Sequence, residues 1–185
     1  MINVNDLRNG MTFKHSGNLF LVLDTGRAQA GRGQANVKAK VKNLRSNAII
    51  NLTFTSGDKV ERAHLDKRVM QYLYSDGNNL IFMDNESYEQ VEINKTKMVW
   101  ELKFLTSNLQ VQVLQYDNEI LTISLPDKVT LKIIEAEHAV KGDSSSSPSK
   151  RAVVETGLAL QVPLFINTDD YIVVSTVDGK YQHRA

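Results

Sequence analysis

Arg32 stands between two glycines, Gly31 and Gly33, with Gln34 next, and this Gly-Arg-Gly triplet is the most projecting chemistry in the chain. Neighbours without a Cβ leave the guanidinium alone at a loop tip and open positive-φ backbone conformations to the turn. A guanidinium offers five N–H donors in a planar fork suited to phosphate or carboxylate oxygens. Beyond the tip, Lys38, Lys40 and Lys42 alternate with Val37, Ala39 and Val41. That period of two places the amines on one face of a strand and the apolar groups on the other. Successive amines would stand ~6.5–7 Å apart, close to the phosphate spacing along one nucleic-acid strand. Alternating lysines also mark the wet face of ordinary strands. Here, however, residues 26–45 hold six basic residues and no acidic one. The chemistry implied is electrostatic recognition of a polyanion, with RNA the expected one.

Other chemistries find little support. His15, His64, His138 and His183 are scattered, without the spacing of a zinc or di-histidine site, so no metal is expected. Gly31-Arg32-Gly33 is not a phosphate-binding fingerprint, because no Lys-Ser or Lys-Thr pair follows and no helix pattern starts there. No Gly-x-Ser-x-Gly elbow is present. Asp76, Asp84 and Glu86 flank a hairpin, where turn chemistry accounts for them. Without cysteine, the chain has neither disulfides nor thiolate catalysis. The sequence is not that of an enzyme, and no cofactor is expected.

The basic hairpin needs a scaffold. The chain has 185 residues, 42% hydrophobic and 23% charged, which is ordinary for a folded protein. No apolar run approaches the ~18 residues of a membrane span, and the N-terminus lacks a secretory pattern. A cytoplasmic protein without membrane association is expected. Charge is uneven: residues 1–64 carry ten Lys+Arg against four Asp+Glu, whereas residues 65–126 carry five against nine. Only part of the surface is therefore expected to meet a polyanion.

Short strands separated by turns run through the chain. Leu19–Asp24, Val37–Leu44 and Ile49–Thr55 read as strands of one small barrel. Val69–Tyr74, Leu80–Asp84, Gln110–Tyr116 and Glu119–Leu125 read as a second meander. Within it the spacing of Val99, Leu102 and Leu105 predicts one helix over 94–105, capped by Asn94 or Thr96. Pro126 marks a further boundary, after which Val129–Ile134 and later strands supply a third barrel. The reading is all-β, with domains at 1–64, 65–126 and 127–185.

Several motifs, taken in order along the whole chain, carry a family resemblance. They are the Gly31-Arg32-Gly33-Gln34-Ala35 tip; Met70-Gln71-Tyr72-Leu73-Tyr74 with Asp76-Gly77; Phe82-Met83-Asp84-Asn85-Glu86 with Tyr88-Glu89-Gln90; Gly142-Asp143; and Lys150, Ala152, Gly157, Leu160, Val162 and Pro163. Together they resemble bacterial translation elongation factor P. The resemblance implies an SH3-like, KOW-type N-terminal barrel followed by two OB-fold barrels in an L-shaped, tRNA-like outline. It implies binding to the 70S ribosome between the peptidyl-tRNA and exit sites, where stalling at consecutive prolines is relieved. Arg32 would reach along the acceptor end of the peptidyl-tRNA and steady its CCA end, an entropic contribution to a reaction that ribosomal RNA catalyses. Gly142, Asp143 and Ser144 would form the loop that approaches mRNA at the exit-site codon, and Tyr181 and Arg184 would face tRNA. A monomer is expected.

The sequence departs from the family pattern at informative places. Many members carry a modified lysine at the tip; Arg32 lacks the primary amine that such acylation requires, and members with a glycosylated arginine carry Asn at the position of Gly33. Arg32 is therefore expected to act unmodified. Ser144 stands where Thr is usual, and Asp169 where the family places Gly. A competing reading is a general RNA-binding protein of tandem barrels without a ribosomal role, since OB barrels host many functions.

Overall fold

The computed structural model describes residues 1–28, 31–139 and 148–185. They form an all-β chain, interrupted only by single 3-10 turns. Among them, no helix is long and apolar enough to cross a membrane. The chain divides into two compact units, Met1–Lys67 with Val113–Thr122, and Arg68–Gln112 with Ile123–Ala185.

In the first unit, β1 (Ile2–Asn3) leads into the 3-10 turn Val4–Asp6, followed by β2 (Thr12–His15), β3 (Asn18–Ala28), β4 (Asn36–Asn43), β5 (Ile49–Thr55) and β6 (Lys59–Arg62). They make one sheet in the order β1-β6-β2-β3-β4-β5. Alternation decides the inner face: Phe13, Phe20, Val22, Val37, Ala39, Val41 and Phe54 pack into one core with Val4, Leu7 and Val60. Phe13 lies 5.7 Å from Phe20 and 6.1 Å from Phe54 between ring centroids. β3 is apolar on both faces because its other face is also covered. Leu19 and Leu44 join Ala63 and Leu121 in a second cluster, with Leu21 packed against it.

β7 (Asp66–Asp76), β8 (Asn79–Asp84), β9 (Gln90–Asn94), β10 (Gln110–Tyr116) and β11 (Glu119–Ser124) form a sheet ordered β11-β10-β7-β8-β9. The outer part of the β10–β11 hairpin belongs to the first unit, where Arg45 Nη2 meets Glu119 Oε2 at 3.3 Å and Lys14 Nζ sits 4.9 Å from the Tyr116 ring centre. The helix expected over 94–105 is not formed. Two 3-10 turns, Lys95–Lys97 and Glu101–Lys103, stand in its place. Asn94 still caps, its Oδ1 accepting the Thr96 N–H at 2.9 Å. Yet Val99 is exposed while Phe104 is fully buried, so the apolar spacing does not describe one face.

Asp84 shows why the acids of this hairpin are turn residues. Its Oδ1 accepts the backbone N–H of Glu86 at 2.8 Å and of Ser87 at 3.2 Å, and Oδ2 lies 3.7 Å from Arg68 Nη1. The two N–H groups hold the carboxyl below the ordinary aspartate range, with Arg68 adding to the effect. A lowered native pKa gives stabilisation that is complete above the unfolded value near ~4 and is lost as pH falls through the lower native value. Asp84→Asn is therefore expected to lower the melting temperature at neutral pH. The gap to wild type should close on acidification below ~4; equal gaps at neutral and strongly acidic pH would contradict this.

β12 (Lys128–Ala136), β13 (Ser149–Val154), β14 (Ala159–Pro163), β15 (Tyr171–Ser175) and β16 (Tyr181–Arg184) form the third sheet, ordered β14-β13-β12-β15-β16. Its core gathers Val129, Leu131, Ile133, Val154, Val162, Ile166, Ile172 and Val174, and Phe104 is buried among them. Asp169 adopts φ +73°, a left-handed conformation that glycine takes freely and Asp tolerates better than most residues. Its carboxylate lies 3.5 Å from Lys132 Nζ, an ion pair that glycine could not make.

Candidate nucleic-acid interface

The β3–β4 hairpin carries the basic residues, and its register determines which of them share a face. A bulge between Val22 and Asp24 shifts the pairing, so that Val22 opposes Val41 but Asp24 opposes Lys40. Gly26 then opposes Lys38, and Ala28 opposes Asn36. On the other side, Lys38, Lys40 and Lys42 oppose Thr53, Asn51 and Ile49 of β5. Directly opposed residues share a face, so the three lysines do form a row on the side away from Val37, Ala39 and Val41. Lys38 and Lys40 are exposed and Lys42 is half-buried.

The run without acids is a property of the sequence that the surface does not keep. The bulge places Asp24 directly beside Lys40, with Asp24 Oδ1 accepting the Thr25 N–H at 2.9 Å. Lys38, flanked by Gly26 and Thr53, has no acid opposite it.

Gly31, Arg32, Gly33 and Gln34 are exposed at the turn joining the two strands. Contrary to the conformational reading of the tip, neither Gly31 nor Gly33 has φ in the left-handed region, and a Cβ built on either would meet nothing within 4 Å. Among the described residues, nothing requires glycine at these two positions.

Arg27, one of the six basic residues of the run, is committed elsewhere. Its Nη2 donates to the carbonyl of Asn5 at 3.0 Å, and Arg8 Nη1 donates to the same oxygen at 3.2 Å. Asn5 Oδ1 accepts the Ser56 hydroxyl at 3.1 Å, and the Ser56 N–H donates to Ala35 O at 2.8 Å. Sequence reading passed over Asn5 and Ser56. The available signal was the Asn3-Val4-Asn5-Asp6 cluster, where Asn3 Oδ1 caps the turn by accepting the Asn5 N–H at 2.9 Å.

The remaining candidates lie on the third sheet. Tyr181 is half-buried against its core, and Arg184 Nη2 lies 3.4 Å from Asp170 Oδ1 while staying largely exposed. Gly142, Asp143 and Ser144 lie outside the described residues. The structure brings the hairpin residues together in the first unit and holds Tyr181 and Arg184 in the second.

Family models for the elongation factor P (EF-P) KOW-like domain, OB domain and C-terminal region match residues 3–60, 65–123 and 129–184 respectively. The chain belongs to the elongation factor P family. Its relatives include elongation factor P of Mesoplasma florum, 50% identical over 184 residues with both chains fully covered. That of Mycoplasmopsis pulmonis is 51% identical over 181 residues, covering 98% of this chain and 97% of the relative. Among solved structures, an initiation factor 5A from Methanococcus jannaschii covers 67% of this chain and 91% of its own with a TM-score of 0.54; at 19% identity it speaks for the fold alone. Elongation factor P is a family of translation factors, not of enzymes, with a KOW-like domain followed by OB architecture. Partnership with the ribosome fits that family.

Proposed function

We propose that the chain binds the ribosome between the peptidyl-tRNA and exit sites and relieves stalling at consecutive prolines, with Arg32 steadying the CCA end of the peptidyl-tRNA. It would do so in the cytoplasm, as a monomer of three domains with boundaries near residues 64 and 126. The observation that carries this reading is the tip itself, an exposed guanidinium between glycines that no contact among the described residues requires. The missing side chains at Gly31 and Gly33 remove no packing contact seen among the described residues and leave room for a large partner to approach the backbone. Arg32 can then donate its fork to phosphate or ribose oxygens without displacing a protein contact. The gain is positional: a substrate held in a reactive arrangement no longer loses orientational freedom at each attempt.

Lys38, Lys40 and Lys42 would follow the RNA backbone behind the tip, and Tyr181 and Arg184 would face tRNA. Gly142, Asp143 and Ser144 are proposed to approach mRNA at the exit-site codon. In a purified translation system, the protein is expected to accelerate synthesis through consecutive proline codons and to leave proline-free templates unaffected. Equal effects on both, or none on either, would favour a general RNA-binding role.

The lysine row gives a graded test. Lys38→Ala should weaken ribosome binding and reduce the slope of log affinity against log salt by ~0.7–0.9, as expected for one lost phosphate contact. Lys40, which shares its face with Asp24, should yield a smaller change. An unaltered slope for Lys38→Ala would rule out its phosphate contact.

A further inference from the structure

We propose that Arg27 is a positioning residue: clasped to Asn5, it fixes the base from which the Gly31–Gln34 tip is presented, and it does not serve as a phosphate contact. The functional part of this inference rests on the role assigned above to Arg32.

The need for a clasp follows from the unequal support of the two strands. β4 is paired along its outer part with β5, through Asn36–Thr55 and Val37–Phe54, so it is held to its first residue. β3 is different. Its pairing with β2 covers only Asn18–Leu21, and beyond the bulge its residues Asp24–Ala28 are paired with β4 alone. In this stretch β3 is the edge strand of a three-stranded section β3-β4-β5, bonded along one side only, and such a strand opens locally more readily than one paired on both sides. Arg27 supplies the free-edge strand with its tie to the body. It lies one residue before Ala28–Asn36, the last ladder pair among the described residues, and bonds to the carbonyl of Asn5.

Asn5 is a suitable anchor because its polar groups are themselves held. Its N–H is fixed by Asn3, its carbonyl takes a second guanidinium from Arg8, and its side-chain oxygen accepts the Ser56 hydroxyl. Ser56 in turn holds Ala35, the residue before β4, through its backbone N–H. Both strands of the hairpin therefore converge on one node beside the Ala28–Asn36 pair. A tip carried on such a base samples fewer orientations, so less freedom is lost when Arg32 engages its target.

The chain has no cysteine, so a single Gln34→Cys substitution accepts a nitroxide or fluorescent label cleanly. In the free protein, Arg27→Ala and Ser56→Ala are each expected to speed label motion, with the melting temperature within a few degrees of wild type. In unlabelled protein on polyproline templates, both should lower the rate at saturating factor by roughly threefold to tenfold. Ribosome affinity and its salt slope should not change. Ser56→Ala matters because it alters no charge and touches the node from the opposite strand. Unchanged label motion in both variants would overturn the clasp. A salt slope flattened by ~0.7–0.9 in Arg27→Ala would overturn it too, by showing a phosphate contact instead. If label motion increases while Arg32→Ala leaves rescue intact, the clasp stands and the ribosomal role of the tip fails.

Discussion

Arg32→Ala is expected to reduce the acceleration of peptide-bond formation at consecutive prolines by on the order of 10–100-fold, the equivalent of one charge-assisted hydrogen-bond arrangement worth ~1.5–3 kcal/mol. Arg32 is exposed at a turn, so the truncation should leave folding stability within about 0.5 kcal/mol. Affinity should fall much less than rate if, as proposed, the lysines on β4 supply attraction to the RNA backbone that does not depend on the tip. Single-turnover peptide synthesis on ribosomes halted at consecutive prolines separates the two, with ribosome binding measured in parallel. Arg32→Lys should recover only part of the loss, since an ammonium supplies charge without the planar fork. Wild-type rates in Arg32→Ala would remove the tip from the mechanism.

The second large effect concerns stability. Phe104 has no exposed surface and lies in the core of the third sheet beside Leu131, Ile133 and Ile166, with its ring 5.2 Å from that of Trp100. Phe104→Ala is expected to destabilise the protein by about 3–5 kcal/mol, the range for removing a buried aromatic ring. That is a large share of the ~5–15 kcal/mol typical of a folded domain. Val99→Ala, in the same segment and at 67% exposure, should stay within about 0.5 kcal/mol. Urea unfolding followed through Trp100, the single tryptophan, reads both. Similar costs for the two variants would refute the assignment of Phe104 to that core.

The contrast between Phe104 and Val99 also shows where sequence patterns fail. The strands were readable because the pleat imposes a period of two: Val37, Ala39 and Val41 alternate with lysines, and all three are buried. No such local rule governs 94–105. Phe104 is buried by residues that come 25 and more positions later, from Val129 onward, and periodicity within the segment cannot register that cover. Leu19–Asp24 reads as a strand and lies within β3, while the cover of Leu19 by Leu121 was not visible from local pattern. At the candidate site, Arg32 and the lysine row followed from residue types and spacing. The bulge that sets Asp24 beside Lys40 did not, because an inserted residue leaves no mark in alternation until the partner strand is known. Arg27 was indistinguishable from its basic neighbours for the same reason: its partner, the Asn5 carbonyl, is a backbone atom that every residue type supplies.

Neither Gly31 nor Gly33 lies in the left-handed backbone region, and both have open space where a side chain would begin. Selection on the two positions is therefore separable from selection for folding. Replacing them with alanine or serine should yield proteins that purify, melt and bind label like the parent, so a collection of tip variants can be compared without correction for lost folded material. In such a collection, activity would vary with side-chain bulk alone, and the size at which it collapses would measure the clearance that the partner leaves around the tip.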